Sequence, residues 1–364
     1  MFRPRARSKE NATDNPSVAI NGRWLSKSVT GTQRYALEVS RLLLDDHTFD
    51  ATLYVPRGTC IPSWASHWRI VELPTNGIMF DQLVLPLMTA RSTLLNLSGS
   101  ATVWRRRQVA VLFDASTYRF PSNFSWRFRL WYRLMFWLTS RRARSLVTIS
   151  DFCVSELSDV LRLPPERFHI AACGSEHLRA VEPAAPPFSV PESFVLCVGT
   201  LAKRKNLLPV VEALSAADIT CVVVGAAGTN RIYADAATSF GSDRVIVAGR
   251  LSDAEIAWLM QRARCLVFPS FYEGFGLPIV EAQAFGCPVV AANSSSLPEV
   301  GRESVLYFNP GDPAEALAKV VDLLNSPPLR DRLIEAGRAN AERFQWSSAA
   351  SIVRGAVAES ASSR

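Results

Sequence analysis

Short apolar runs alternate with longer amphipathic stretches along most of this chain. Helical patterns lie, for example, at 31–44 and 312–324. Runs typical of buried parallel strands lie at 17–21, 51–55, 70–73, 94–97, 109–113, 146–149, 194–198, 220–224, 245–248, 265–268, 288–292 and 305–308. This alternation predicts an α/β fold with doubly wound parallel sheets. No apolar run reaches the roughly 18 residues that a membrane-spanning helix needs.

The alternation occurs twice, on either side of the stiff, proline-rich stretch Pro183–Pro187. A chain of 364 residues is long enough for two domains of ordinary size. The predicted division is a disordered basic tail over 1–16, a first domain over 17–182, a linker over 183–191, a second domain over 192–345, and a last helix with a loose tail over 346–364.

The stretch 264–300 reads as strand, loop, helix and strand, and it is the most informative part of the chain. Its loop, 273–276, contains two glycines that allow a ligand to approach the backbone. Pro278 suits the first turn of the helix, whose free N–H groups and positive dipole end favour a phosphate. Glu273 and Glu281 flank this seat and can accept hydrogen bonds from hydroxyl groups, which fits a nucleotide-sugar. The alternative is a capping carboxylate and a solvated surface residue.

The same stretch, Pro-Ser-x-x-Glu-Gly-Phe-Gly-Leu-Pro-x-x-Glu-Ala-x-Ala-x-Gly-x-Pro-Val-Val, closely resembles the donor-site signature of the retaining glycosyltransferases of family 4. Those enzymes have the GT-B fold, in which two Rossmann-like domains face a central cleft and the last helix crosses back to the first domain. In this resemblance Glu273 and Glu281 match the paired glutamates of the family. The donor-binding residues that it implies within and near the stretch are Glu273, Gly274, Phe275, Gly276, Leu277, Glu281, Arg250 and Leu251.

Basic residues follow the first strand of the second domain, where an open α/β sheet binds its ligand. The stretch 199–206, Gly-Thr-Leu-Ala-Lys-Arg-Lys-Asn, resembles the family motif whose basic residues meet the donor diphosphate. The resemblance transfers that expectation to Arg204 and Lys205. A solvated basic loop is the alternative.

Two stretches of the first domain also resemble the family. Thr30, Gly31, Arg34 and Tyr35 match a glycine-containing turn, and we expect Gly31 and Arg34 to face the cleft. The stretch after the strand 109–113 resembles a His-Asp motif, and Asp114 ends that strand. Phe113 replaces the histidine that contacts the donor sugar in the family, and a phenylalanine can neither donate nor accept that hydrogen bond.

The resemblance implies transfer of a hexose with retention of anomeric configuration, with Glu273, Asp114 and Lys205 as candidate catalytic residues. Mannose is the favoured sugar and GDP-mannose the favoured donor. The expected acceptor is a polyprenyl-diphosphate-linked saccharide used in cell-surface polysaccharide synthesis. A nucleotide-sugar epimerase or phosphorylase on the same fold is an alternative. A catalytically inactive nucleotide-sugar-binding scaffold is another, because of Phe113.

Composition indicates where the protein acts and what kind of surface it contacts. The net charge of +7 suits anionic partners, and without zinc spacings or RNA-binding motifs nucleic acid is the least supported of them. The seven scattered cysteines indicate reduced thiols in the cytoplasm. The stretch 125–143 mixes tryptophans with arginines, as interfacial helices on anionic lipid do, which would place the protein on the inner face of the membrane. A core helix is the alternative interpretation.

The chain contains no Asp-x-Asp motif, so no metal or other cofactor is expected to hold the donor diphosphate. We therefore predict that glycosyl transfer persists after dialysis against EDTA, because fixed cations in place of a metal neutralise the leaving group. Turnover is measured with and without added Mg²⁺ or Mn²⁺. A strict requirement for metal, restored by adding it back, would contradict this prediction.

Overall fold

The structure is a computed structural model that describes residues 17–46, 49–225 and 243–362. The predicted tail 1–16 lies outside these residues. The first domain is built on a parallel sheet of seven strands in the order β3-β2-β1-β4-β5-β6-β7. These strands are β1 Ser17–Asn21, β2 Asp50–Pro56, β3 Ile70–Leu73, β4 Thr93–Asn96, β5 Gln108–Val111, β6 Ser145–Thr148 and β7 Phe168–Ile170.

Helices cover both faces of this sheet, because alternate strand residues point to opposite sides and both sides are apolar. Val18 and Ile20 of β1 pack on one side with α1 and the C-terminal helix, whereas Ala19 packs on the other with the segment 77–88. The helices of this domain are α1 Gly31–Leu44, α2 Gly77–Met79, α3 Leu85–Met88, α4 Ser116–Arg119, α5 Trp126–Arg142, α6 Asp151–Leu161 and α7 Glu176–Arg179, with a π-helical turn at Phe80–Val84 between α2 and α3.

The second domain repeats this plan on a parallel sheet in which six strands are described, in the order β10-β9-β8-β11-β12-β13. They are β8 Val195–Val198, β9 Cys221–Val224, β10 Val245–Gly249, β11 Leu266–Phe268, β12 Val289–Ala292 and β13 Val305–Phe308. The α-helices described in this domain are α8 Leu207–Ala216, α9 Asp253–Arg262, α10 Leu277–Ala284, α11 Leu297–Gly301, α12 Pro313–Asn325 and α13 Pro327–Ala341.

The last helix, α14 Trp346–Ser362, returns to the first domain. Its residues Trp346, Val353 and Val357 are buried in the core that also contains α1 and the first sheet. Ser145 donates a hydrogen bond to the Ala356 carbonyl at 3.2 Å, which joins the helix to β6. The helix extends through Glu359 to Ser362, a stretch that we expected to be part of the loose tail.

The predicted fold class is confirmed, since each domain is a doubly wound parallel sheet. Helix α1 begins at Gly31, and Thr30 is its N-cap residue. The order of strands reverses between β1 and β4 in the first sheet and between β8 and β11 in the second. Ligands of open α/β sheets bind at such reversals, beyond the carboxyl ends of the strands.

Candidate functional site

Two loops meet at the strand reversal of the second domain, one after β8 and one after β11. A backbone hydrogen bond of 2.8 Å from Phe271 N–H to the Arg204 carbonyl joins them. The loop after β8 ends in a 3₁₀ turn at Lys203–Lys205, followed by Asn206 with φ of 53°. Asn206 donates its side-chain amide to the Pro310 carbonyl at 2.7 Å. This bond fixes the turn, and the basic side chains of the turn are held beside the loop 273–276.

Glu273 lies between the two basic residues that the sequence singled out. Lys205 Nζ is 2.5 Å from Glu273 Oε1, and Arg204 is 3.7 Å from Glu273 Oε2. Burial raises the pKa of Glu273, but the charges of Lys205 and Arg204 outweigh burial and hold the pKa below its ordinary value. Glu273 therefore stays ionised at neutral pH, and the three side chains together have one excess positive charge.

The backbone of Glu273 is fixed by the loop that follows β12. Glu273 N–H donates to the Ser295 hydroxyl at 3.0 Å, and the Ser296 hydroxyl donates to the Glu273 carbonyl at 3.0 Å. Helix α10 begins four residues later, after Gly276. Gly276 has φ of 96°, and a Cβ there would lie 2.6 Å from the Leu297 side chain. Glycine is the residue that tolerates this positive φ, and it lets α10 begin directly after the loop that contains Glu273.

Glu281 is buried one turn inside α10 and is bonded to a histidine of the first domain. His177 Nε2 is 3.0 Å from Glu281 Oε1, and His177 Nδ1 accepts a hydrogen bond of 3.1 Å from the Trp346 indole. Since Nδ1 accepts this hydrogen bond, the ring proton is on Nε2, which donates a hydrogen bond to Glu281. His177, Glu281 and Trp346 thus join the first domain, the second domain and α14. The second carboxylate oxygen of Glu281 has no partner among the hydrogen bonds described.

The loop 273–276 packs directly against the first domain. The Ser150 hydroxyl donates to the Gly274 carbonyl at 2.6 Å, and a Cβ at Gly274 would lie 2.9 Å from the Phe113 carbonyl oxygen. The Phe275 ring is buried in the core of the first domain, edge-on to Phe344 at 5.3 Å. Leu277 is half-buried against the same core. Gly274, Phe275 and Leu277 therefore shape the loop and join the domains.

Asp114 is brought to the same junction from the end of β5. Its carboxylate accepts from Ser116 N–H at 2.8 Å. Tyr272, next to Glu273 in the chain, accepts a hydrogen bond from Ala115 N–H at 3.2 Å. Burial raises the pKa of Tyr272, and the charge of Asp114 raises it further. Phe113 is buried against Tyr35, with ring centroids 5.3 Å apart, so the position of the family histidine is filled by an apolar contact.

The remaining predicted residues form no described hydrogen bond or ion pair with Lys205 or Glu273. Arg34 Nη2 donates to both carboxylate oxygens of Asp253 in the second domain, at 2.5 and 2.6 Å. Gly31 is exposed at the start of α1. Arg250 is exposed and Leu251 half-buried after β10, two strands from β8 on the same carboxyl edge. The structure thus brings Arg204, Lys205, Glu273 and Asp114 to one junction, and Arg34 to a separate contact between the two domains.

Several residues of the site were missed from the sequence. Ser295 and Ser296 fix Glu273, Asp253 pairs with Arg34, and Glu299 accepts from the first two N–H groups of α6 at 2.8 and 2.9 Å. No spacing in the sequence links these residues to their partners. Within the described residues, no group of three or more His, Cys, Asp or Glu side chains is arranged to hold a metal ion.

Comparison with known proteins gives a consistent picture. Residues 180–340 match the family of glycosyl transferases group 1. O-antigen chain mannosyltransferase B of Escherichia coli is 29% identical over 225 residues, which are 56% of this chain and 58% of that protein. An MMP alpha-(1->4)-mannosyltransferase of Mycolicibacterium hassiacum is 30% identical over 229 residues, which are 58% of this chain and 53% of that protein. The chain thus spans little more than half the length of these two relatives.

The solved structure of Anabaena Alr3699/HepE in complex with UDP and glucose resembles the whole chain. The TM-score is 0.74, with 17% identity over 94% of this chain and 100% of that one. At this level of identity the likeness concerns the fold, which is the two-domain GT-B arrangement expected from the sequence.

We predict that Lys205→Ala and Arg204→Ala each weaken binding of nucleoside diphosphate by roughly ten- to hundredfold. The reason is that a hydrogen bond to a charged group contributes about 1.5–3 kcal/mol. Calorimetry with GDP and with UDP measures the change, and thermal unfolding checks that each variant is folded. The control is Lys203→Ala, because Lys203 is exposed in the same 3₁₀ turn. Wild-type affinity in both variants would show that the turn is only a solvated surface.

Proposed function

We propose that the chain is a group 1 glycosyl transferase, because residues 180–340 match that family, and that it transfers a hexose from a nucleoside-diphosphate sugar to a saccharide acceptor with retention of configuration. Its GT-B fold is consistent with this activity. The observation that supports this most is the group of Lys205, Arg204 and Glu273 just before the N-terminus of α10. Two fixed cations and a helix N-terminus match a diphosphate, and a carboxylate beside them matches a sugar.

Each side chain has a role that follows from its charge. Lys205 and Arg204 stabilise the negative charge that develops on the departing diphosphate, where one such contact contributes roughly 3 kcal/mol. When the diphosphate engages Lys205, Glu273 is released to bind sugar hydroxyls and to steady the positive charge on the ring. Glu281 offers its free carboxylate oxygen to the ribose diol and keeps its bond to His177. Asp114 borders the site from the first domain. No metal is required.

Retention is explained by attack from the face that the diphosphate leaves. The acceptor oxygen forms a bond to the anomeric carbon as the bond from that carbon to the phosphate oxygen breaks. A diphosphate oxygen takes the acceptor proton, so no protein base is needed. None of Glu273, Asp114 and Lys205 is assigned as a covalent nucleophile.

Mannose is the proposed sugar because relatives that match this chain are mannosyltransferases, one of them acting on O-antigen chains. GDP-mannose is accordingly the proposed donor, and a polyprenyl-diphosphate-linked saccharide the proposed acceptor, in polysaccharide synthesis at the cytoplasmic face of the membrane. Uridine-diphosphate sugars are the competing donors, since a protein with this fold binds UDP and glucose.

The decisive experiment incubates the purified chain with GDP-mannose or UDP-glucose and a panel of polyprenyl-diphosphate saccharides, and identifies products by mass spectrometry. We expect an acceptor longer by one hexose, formed from GDP-mannose, and loss of turnover in Glu273→Gln. Isomerised donor without acceptor would indicate an epimerase, and donor binding without any product would indicate a scaffold.

A membrane-facing surface is proposed on the first domain, consistent with a lipid-linked acceptor. Met135 and Phe136 of α5 are buried against the sheet, whereas the opposite side of α5 leaves Trp126, Leu130 and Trp137 about half or more exposed. Arg127 and Arg141 stack on the rings of Trp126 and Trp137, at 5.4 and 4.5 Å from the ring centroids. Such pairs are typical of helices that lie in the headgroup region.

The neighbouring segment 77–88 extends this surface. It covers the same side of the sheet as α5, and its side chains Ile78, Met79, Leu83, Leu87 and Met88 are exposed. Trp104 lies beside the segment and donates its indole N–H to the Gln82 carbonyl at 2.7 Å. Within the described residues, no helix combines the length and the hydropathy needed to cross a bilayer.

We predict that the protein co-sediments with anionic vesicles and that high salt releases it only in part, because apolar side chains remain inserted. Replacing Arg129, Arg141 and Arg142 by glutamine should weaken partitioning by up to about a hundredfold, at about 1 kcal/mol for each basic residue. Arg133 is left unchanged because it stacks on Tyr118 at 4.9 Å and contributes to packing.

The apolar contribution is tested by the triple change Trp126→Ser, Leu130→Ser and Trp137→Ser, which should abolish the salt-resistant fraction. Its control is Leu208→Ser with Ile352→Ser, two exposed apolar positions on other surfaces of the molecule. Equal binding of both variants, or no binding by the wild type, would contradict the proposed surface.

A further inference from the structure

A second pocket opens at the carboxyl edge of the first sheet. Its volume is about 290 Å³, near the lower limit for pockets that bind small ligands. Loops that follow β1, β2 and β3 form it, so it lies on the edge where doubly wound sheets bind their ligands. Its lining residues are Leu25, Ser26, Lys27, Pro56, Arg57, Gly58, Thr59, Cys60 and Asn76. None of them belongs to the donor site described above.

The charged groups of this pocket favour an anion. Lys27 and Arg57 both line it, and Arg23 lies next to Lys27 with only 13% of its side chain exposed. Arg23 is held by Asp81 at 2.7 Å and by Ser100 at 2.9 Å, so its guanidinium is fixed in position.

Desolvation lowers the pKa of Lys27, the charge of Arg23 lowers it further, and Asp81 partly opposes both. Glu72 lies near the rim, where its carboxylate accepts from Gly58 N–H at 3.5 Å. Asp81 neutralises one of the three cations, and a phosphate group would relieve the repulsion between the others.

The surroundings of the pocket are apolar, which is unusual for a site that binds only a soluble anion. Val29, Trp64, Ile78 and Met79 are all about half exposed, and each lies within a few residues of a lining residue. Ile78 and Met79 belong to the segment 77–88 of the proposed membrane surface. Asn76 connects the two, since it lines the pocket and accepts from Gly77 N–H at 2.6 Å, where the segment begins.

We propose that this pocket binds the diphosphate of a prenyl-diphosphate-linked acceptor, with Lys27 and Arg57 contacting the phosphate oxygens and the chain running over Ile78 and Met79 toward the membrane. The inference rests on the proposed glycosyl transfer and identifies where the acceptor is held. Arginine and lysine are the side chains suited to such a group, arginine through paired hydrogen bonds and lysine as a compact charge.

The chain contains its own reporter for this pocket. Cys60 is exposed and lines the pocket, whereas the other six cysteines are buried. Burial raises the pKa of the thiols of Cys153, Cys173 and Cys287, which keeps them unreactive. A thiol reagent such as dithionitrobenzoate therefore modifies Cys60 in the folded protein, and an occupied pocket should slow that reaction.

The experiment measures the rate of Cys60 modification in the full chain with saturating GDP and UDP present, so that the donor site is blocked. Inorganic pyrophosphate should slow modification. Geranyl diphosphate should do so at a concentration at least tenfold lower, because its chain contacts the apolar rim. Geraniol should have little effect. Equal potency of pyrophosphate and geranyl diphosphate would overturn the lipid-linked assignment, and no protection by either would overturn the site.

Variants test whether Lys27 and Arg57 hold the diphosphate. Lys27→Gln and Arg57→Gln should each raise the protecting concentration about tenfold, and the double variant more. The matched control is Arg91→Gln, an exposed arginine of the same domain outside the pocket. Protection that is unchanged in the double variant would overturn the proposal.

Turnover separates this inference from the proposed function. With a prenyl-diphosphate saccharide, Lys27→Gln and Arg57→Gln should raise the acceptor KM and leave the donor KM unchanged. Protection of Cys60 without any glycosyl transfer would support the pocket and contradict the enzyme. Transfer with an unchanged acceptor KM would support the enzyme and contradict the pocket.

Discussion

The contact between the loop 273–276 and the first domain is the constraint on which the rest of the structure depends. Backbone meets backbone there, because a Cβ at Gly274 would lie 2.9 Å from the Phe113 carbonyl oxygen and 3.3 Å from Cys153 Sγ. Glu299 strengthens the junction by capping α6 from the other domain. The same closeness sets Asp114 beside Tyr272, so that the site is assembled from both domains only when they are packed in this way.

The ion pair of Lys205 with Glu273 is better explained by ligand binding than by stability. Removing both charges from water costs nearly as much as their attraction returns. Because the pKa of Glu273 is lowered in the folded chain, its contribution to stability is present above its ordinary pKa and is lost as pH falls through the lowered value. The ion pair holds the Lys205 side chain toward the loop 273–276. There a diphosphate would replace Glu273 as the partner of Lys205.

The first domain combines the features that a lipid-linked acceptor would require. The segment 77–88 begins next to Asn76, which lines the proposed acceptor pocket, and it covers the same side of the sheet as α5. Lys27 and Arg57 supply positive charge at the pocket, and α5 supplies aromatic side chains with arginines. An acceptor held there would have its anion on a protein site and its chain in lipid, while the second domain would hold the proposed donor.

Much of the fold and part of the site were determined by the sequence itself. Apolar runs of four or five residues separated by helical patterns can bury themselves only as parallel strands, and their order therefore predicted both sheets. The loop 273–276 and the basic residues at 203–205 were found because each follows a strand, and strand ends converge at one edge. Phe113 was recognised as a departure because the stretch around it resembles the family's His-Asp motif, with phenylalanine in place of the histidine.

Only the tertiary structure decided which side chains meet across the domains. Glu281 pairs with His177, and Arg34 pairs with Asp253 across 219 positions of sequence. Helix α5 has apolar residues on two sides, and only packing determined that Met135 and Phe136 face the sheet while Trp126 and Trp137 face solvent. Such pairings depend on how two independently folded sheets close on each other. Local spacing encodes the periodicity of each element, but it contains no information about the distance between elements that different strands position.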